Sequence, residues 1–194
     1  MDEQRFGFLP RILVASDGRE PLQVPEPLAD AVLLRDLDLA TLVTAAGRAR
    51  PPLAVDLDAV QGLNPDAAAV RFVTGELGIG VVLTRRPAMV AAAAELGALG
   101  LLHVFGFDST GLGRSLEAHP RRPGVGTMIS PGPVLAHLLP EDLARLPRPV
   151  VAYGLIGSAE LARRLLQRAD AVVLAPEVAI RLVDAVRHTA PGDS

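Results

Sequence analysis

Residues 52–86 decide the fold: Pro52-Leu-Ala-Val-Asp-Leu-Asp-Ala-Val-Gln-Gly-Leu-Asn-Pro65, a helical run, then Gly78-Ile-Gly-Val-Val-Leu-Thr-Arg-Arg86. Two short apolar segments, Leu53–Leu57 and Ile79–Leu83, each end in polar residues. The intervening Pro65–Leu77 has the length and pattern of a helix. Parallel strands need a crossover of about a dozen residues, usually helical, so this is a β-α-β unit. Ligands of parallel sheets gather where the strands end. Asp56, Asp58, Gln61, Thr84 and Arg85 are therefore the first functional candidates.

The same grammar repeats along the chain. Further strands are expected at Arg11–Ala15, Ala31–Leu34, Leu99–Phe105, Val125–Ile129, Pro149–Tyr153 and Asp170–Leu174. Helices are expected over Leu39–Gly47, Pro87–Leu96, Ser109–Ala118, Val134–Leu146 (with Pro140 a point of fracture), Ser158–Gln167 and Pro176–His188. The segment Ser16–Asp30 holds three prolines and shows no helical period, so the first helix is shortened to a loop or stub. Strands rich in Val, Ile and Leu without alternation are buried on both faces. Eight such units at intervals of roughly 20 to 26 residues predict a small TIM-like (β/α)8 barrel of parallel strands, with an open doubly wound sheet as the alternative. The 194 residues read as one domain, with 1–10 and 189–194 as frayed tails.

Composition removes several functions. All 19 basic residues are arginine, so Schiff-base chemistry on lysine is excluded. There is no cysteine, hence no thiol chemistry or disulfide framework. No apolar run approaches the roughly 20 residues of a membrane span, and the amino terminus is a poor signal peptide. These features predict a cytoplasmic protein without membrane contact. Aromatics at 3% and a net charge of −3 give nucleic acid no general attraction, so RNA binding would need a local arginine patch, one that homo-oligomerisation could assemble.

On a barrel rim, Asp36-Leu-Asp38 and Asp56-Leu-Asp58 would each present two carboxylates on one face. Four such groups could hold Mg²⁺ or grip the hydroxyls of a polyol, and each could equally cap the following helix. Arg85 is the best anion ligand, because its planar fork suits phosphate beside a helix start. His103 reads as a hydrogen-bonded core residue. Gly154, Gly157 and Ser158 could offer backbone donors where barrels often seat phosphate, but Pro176 and Glu177 weaken that half of the rim.

With these residues in view the chain resembles the glycerol-3-phosphate-responsive antiterminator family, regulators of glycerol-uptake operons. The likeness runs from about Ala31 to Leu182. It is carried by Asp36 and the helix after it, Asp58-Ala-Val-Gln-Gly-Leu63, Thr84-Arg85, Phe105-x-x-Asp108, Pro131-Gly132 and Gly154-x-Ile156. It implies a barrel that senses glycerol 3-phosphate and binds leader mRNA so that transcription passes a terminator, with no catalytic residue, metal or cofactor. The site residues it implies are Asp36, Asp58, Gln61, Arg85, Asp108, Gly132 and Gly154, to which the rim-loop backbone adds Gly157. Asp56 stands where the family often has histidine, Tyr153-Gly154 where it has a glycine pair, and Gly157 where it has arginine. Two other readings remain: a barrel enzyme using Asp36, Asp56, Asp58 and Asp108 around Mg²⁺ for lyase or phosphate-ester chemistry, and a degenerate barrel with only an interaction role.

Overall fold

The computed structural model describes residues 11–17, 30–48 and 52–188. Eight parallel strands close into a barrel: β1 (Ile12–Ser16), β2 (Ala31–Leu34), β3 (Leu53–Asp56), β4 (Val81–Thr84), β5 (Leu99–Phe105), β6 (Val125–Ser130), β7 (Val150–Tyr153) and β8 (Ala171–Leu174). Closure is made by β1, which pairs with β8 at Ile12↔Val172 and with β2 at Leu13↔Ala31. The open-sheet alternative is thereby set aside. The shortened first helix and the frayed tails fall on residues outside those described.

Helices α1 (Leu39–Ala46), α2 (Ala67–Arg71), α3 (Pro87–Glu95), α4 (Ser109–Glu117), α5 (Pro140–Arg145), α6 (Ala159–Leu165) and α7 (Pro176–His188) surround the strands. Their starts follow local chemistry. The carboxylates of Asp38, Asp66 and Asp108 and the hydroxyl of Ser158 accept hydrogen bonds from backbone N–H groups of the first turns of α1, α2, α4 and α6. Two expected helices are altered. The run from Pro65 to Leu77 is α in its first half and becomes a π-helical turn over Phe72–Glu76. The run from Val134 to Leu146 is a 3-10 turn at Gly132–Ala136 followed by α5, which begins at Pro140 because proline lacks the donor that an interior helix position requires.

Alternation along each strand sorts the apolar residues into two layers. Leu33, Ala54, Leu83, Leu101, Met128 and Val151 point inward and fill the barrel. Val32, Val55 and Val82 on one side, and Val104, Val150 and Val172 on the other, pack outward under the helices. Gly100 lets α3 lie directly on β5, since a Cβ there would stand 2.4 Å from the carbonyl oxygen of Val90. Inward side chains two residues past the core layer emerge at the carboxyl rim. That parity places the site.

Candidate functional site at the barrel mouth

Six strands obey this count. The residue two beyond Leu33 is Arg35, beyond Ala54 is Asp56, beyond Leu83 is Arg85, beyond Leu101 is His103, beyond Met128 is Ser130, and beyond Val151 is Tyr153. All six line one cavity of about 470 Å³, together with Asp58, Gly154 and the aromatic rings of Phe105 and Phe107. The long β5 strand carries a ladder of rings outward: His103 lies 4.5 Å from Phe105, and Phe105 stacks on Phe107 at 5.5 Å.

The acidic half is organised by arginine. After Asp56 the chain leaves the strand in a 3-10 turn, Leu57–Ala59, which swings Asp58 toward β4. One Asp58 oxygen accepts from the Arg85 backbone N–H at 2.7 Å, Thr84 Oγ1 at 3.1 Å and Arg85 Nε at 3.3 Å. The other meets Arg86 Nε at 3.4 Å. Burial alone would raise the Asp58 pKa, but the hydrogen bonds from Arg85 and Thr84 outweigh it and hold the carboxyl below the ordinary range. No described residue hydrogen-bonds the two terminal nitrogens of Arg85, so its fork is braced from behind and open in front.

Among the described residues, Asp56 accepts only from the Asp58 backbone, without a guanidinium donor of this kind. Burial, reinforced by the Asp58 charge and opposed by Arg35, pushes its pKa up to about 6. His103 moves the other way. Burial, with Arg85 and Arg35 adding to it against Asp58, pulls its pKa down to about 4, so the ring is neutral at neutral pH. Its Nε2 is 2.7 Å from Ser130 Oγ. A core histidine with a hydrogen-bond partner was expected; that the partner is Ser130 on the next strand, and that both face the cavity, was not legible locally.

Asp36 needs a correction. Its φ of 55° turns the side chain away from the strand alternation, so Asp36 and Asp38 do not share a face. Asp36 is exposed and pairs with Arg35 Nε at 2.5 Å, while Asp38 caps α1. Arg35 is therefore the inward residue from β2, a candidate that counting by two from Leu33 would have found. Of the other expected residues, Asp58, Arg85 and Gly154 line the cavity, and Asp36, Gln61, Asp108, Gly132 and Gly157 do not. Gln61 is the exposed residue of a two-residue ribbon, Val60–Gln61 against Leu37–Asp38, whose Val60 and Leu37 are buried. Asp108 caps α4 and Gly132 is buried beneath the β7 loop. Gly157 lines a second cavity of about 450 Å³ at the ends of β7 and β8, walled by Ala15, Tyr153, Ile156, Val173 and Ala175, with Glu177 at its side. The four aspartates of the Mg²⁺ reading do not converge, and no group of three or more His, Asp or Glu among the described residues is arranged to hold a metal.

A sequence model described as "Glycerol-3-phosphate responsive antiterminator" matches residues 29–177, about three quarters of the chain. The chain belongs to that family. Its role is accordingly regulatory. No curated protein matches the sequence. Among solved structures, the glycerol uptake operon antiterminator regulatory protein of Listeria monocytogenes is similar, with a TM-score of 0.72 and 21% identity over 84% of this chain and 90% of that one. A glycerol uptake operon antiterminator-related protein from Thermotoga maritima gives 0.69 and 23% over 87% and 97%. Phosphoribosylanthranilate isomerase of Thermotoga maritima gives 0.60 and 12% over 92% and 98%. At these identities the structural likenesses speak for the barrel alone; the family rests on the sequence match.

Proposed function

We propose that the barrel mouth senses glycerol 3-phosphate, and that occupancy changes the protein's hold on leader mRNA so that transcription passes a terminator. The observation that carries the reading is the pair of guanidiniums, Arg35 and Arg85, on the wall of a cavity large enough for a small phosphorylated polyol, in a chain of a family named for its response to that compound. Arg85 takes the phosphate. Its backbone and Nε are already held by Asp58, so little ordering is left to oppose binding. Asp56 and Ser130 meet the hydroxyls, and Asp36 acts as the partner of Arg35. Gln61 and Asp108 stand outside the cavity and take no ligand role. The protein works without a catalytic step, since a regulator needs only unequal affinity of the ligand for two states. A cytoplasmic location follows from the mRNA partner, and no described helix is long and apolar enough to cross a membrane.

Calorimetric titration with glycerol 3-phosphate tests the sensor; no heat and no thermal shift at millimolar ligand would remove it. The RNA step is separate. A gel shift with the leader transcript of its own operon at low salt is expected to show a complex whose amount depends on the ligand, and a blank lane would remove that step alone.

A further inference from the structure

The β7 strand ends in a side chain whose polar atom has no partner among the described residues. Tyr153 is 8% exposed, its ring packed in the barrel's interior layer. Its hydroxyl is closed to solvent and hydrogen-bonds nothing among the described residues. Buried polar atoms in folded proteins are overwhelmingly paired, and a buried tyrosine O–H in particular usually finds an acceptor. The ring is the common wall of the two rim cavities. It is also held firmly. A Cβ on Gly132 would stand 3.2 Å from the Tyr153 backbone N and 3.1 Å from Ile156 Cδ1, so backbone packs against backbone beneath the phenol. His103 flanks the ring at 5.6 Å. The cover is Arg35, whose guanidinium carbon lies 5.3 Å over the ring centroid and whose ion pair is with exposed Asp36.

We propose that Tyr153 is a specificity-determining residue of the mouth, its phenol O–H donating to an oxygen of the bound anion once that anion has drawn Arg35 off the ring. This rests on the sensor reading above and deepens it. The chemistry a phenol recognises there is a ligand oxygen, whether of a phosphate or of a polyol hydroxyl. Arg35 reaches across the mouth from β2, so an anion held by Arg85 and joined by Arg35 lies against Tyr153.

The test is Tyr153→Phe, measured on the whole chain by calorimetry with glycerol 3-phosphate and separately with inorganic phosphate, and by thermal melting without ligand. The variant is expected to weaken glycerol 3-phosphate by about tenfold, the loss of one buried hydrogen bond. An equal loss for inorganic phosphate places the contact on the phosphate; a loss confined to glycerol 3-phosphate places it on a hydroxyl. Without ligand the variant is expected to melt no lower than the wild type, because the oxygen it loses had no partner. Unchanged affinity for both ligands overturns the proposal, as does a free variant that melts several degrees lower, since that would mean an internal partner. A wild-type protein that binds neither ligand removes the sensor reading and this one with it, whereas binding that Tyr153→Phe leaves intact removes only this one.

Discussion

The β2–β5 side and the β7–β8 side of the rim are built from the same strand geometry and differ in chemistry. On the first, Arg35, Asp56 and Arg85 come from successive strands, and Asp58 ties the β3 turn to the end of β4. On the second, Ala15 and Val173 occupy equivalent inward positions, and the charge nearby is the carboxylate of Glu177. In barrels the loops after strands seven and eight are the common phosphate seat. Here the guanidiniums are supplied from β2 and β4 instead. A rim therefore carries its anion site wherever inward positions past the core layer hold arginine, and the fold alone does not say which side that is.

The sharpest way to break the contrast is Arg85→Ala. It removes a charge-assisted contact and is expected to weaken glycerol 3-phosphate by roughly 30- to 100-fold in calorimetry. The fold survives, because Asp58 still accepts from the backbone N–H of residue 85, from Thr84 Oγ1 and from Arg86. An effect below threefold would move the anion to the β7–β8 side.

The unbraced carboxylate comes next. Asp56 has its folded pKa raised to about 6 from 3.8, so the folded state binds its proton more tightly than the unfolded chain. The stability this contributes is complete below about pH 4 and is lost as pH rises through 6. Asp56→Asn is therefore expected to raise stability at pH 7 by on the order of 2 kcal/mol and to change it little at pH 4, read from thermal melts across that range. Asp58 has the opposite sign. Its lowered pKa contributes stability above the unfolded value near 4, lost as pH falls through the folded one. A pH-independent effect of Asp56→Asn would show that the two carboxylates are not held differently.

The smallest effect belongs to the apolar side. Glu177 is exposed and borders the second cavity, so Glu177→Ala is expected to change glycerol 3-phosphate affinity by less than about twofold, as screening of exposed charges dictates. A gain of tenfold or more would mean that its carboxylate had been repelling a phosphate seated there.

Much of this was legible before any coordinates. Eight unalternating apolar runs at steady intervals contain their own statement of burial on both faces and suggest a barrel, while the pairing of β1 with β8 and β2 is what closes it. Arg85 and Asp58 were also visible, since each sits where a strand gives way to its helix. Asp36 was misplaced for a local reason: one residue with positive φ breaks the count by two, and Arg35 takes the inward place. His103 and Ser130 are 27 residues apart, so only register between β5 and β6, Phe105 opposite Ser130 and His103 opposite Met128, brings them together.

The sequence by itself determined the strands, their helices and the absence of lysine chemistry, because periodicity and composition act over a few neighbouring residues; its match to a family model determined the family. Tertiary structure alone decided which side chains meet at the mouth, that Asp58 belongs to Arg85, and that the Tyr153 hydroxyl faces no partner among the described residues. Those facts depend on parity and register between strands far apart in the chain, and closing the barrel is the step that converts them into distances.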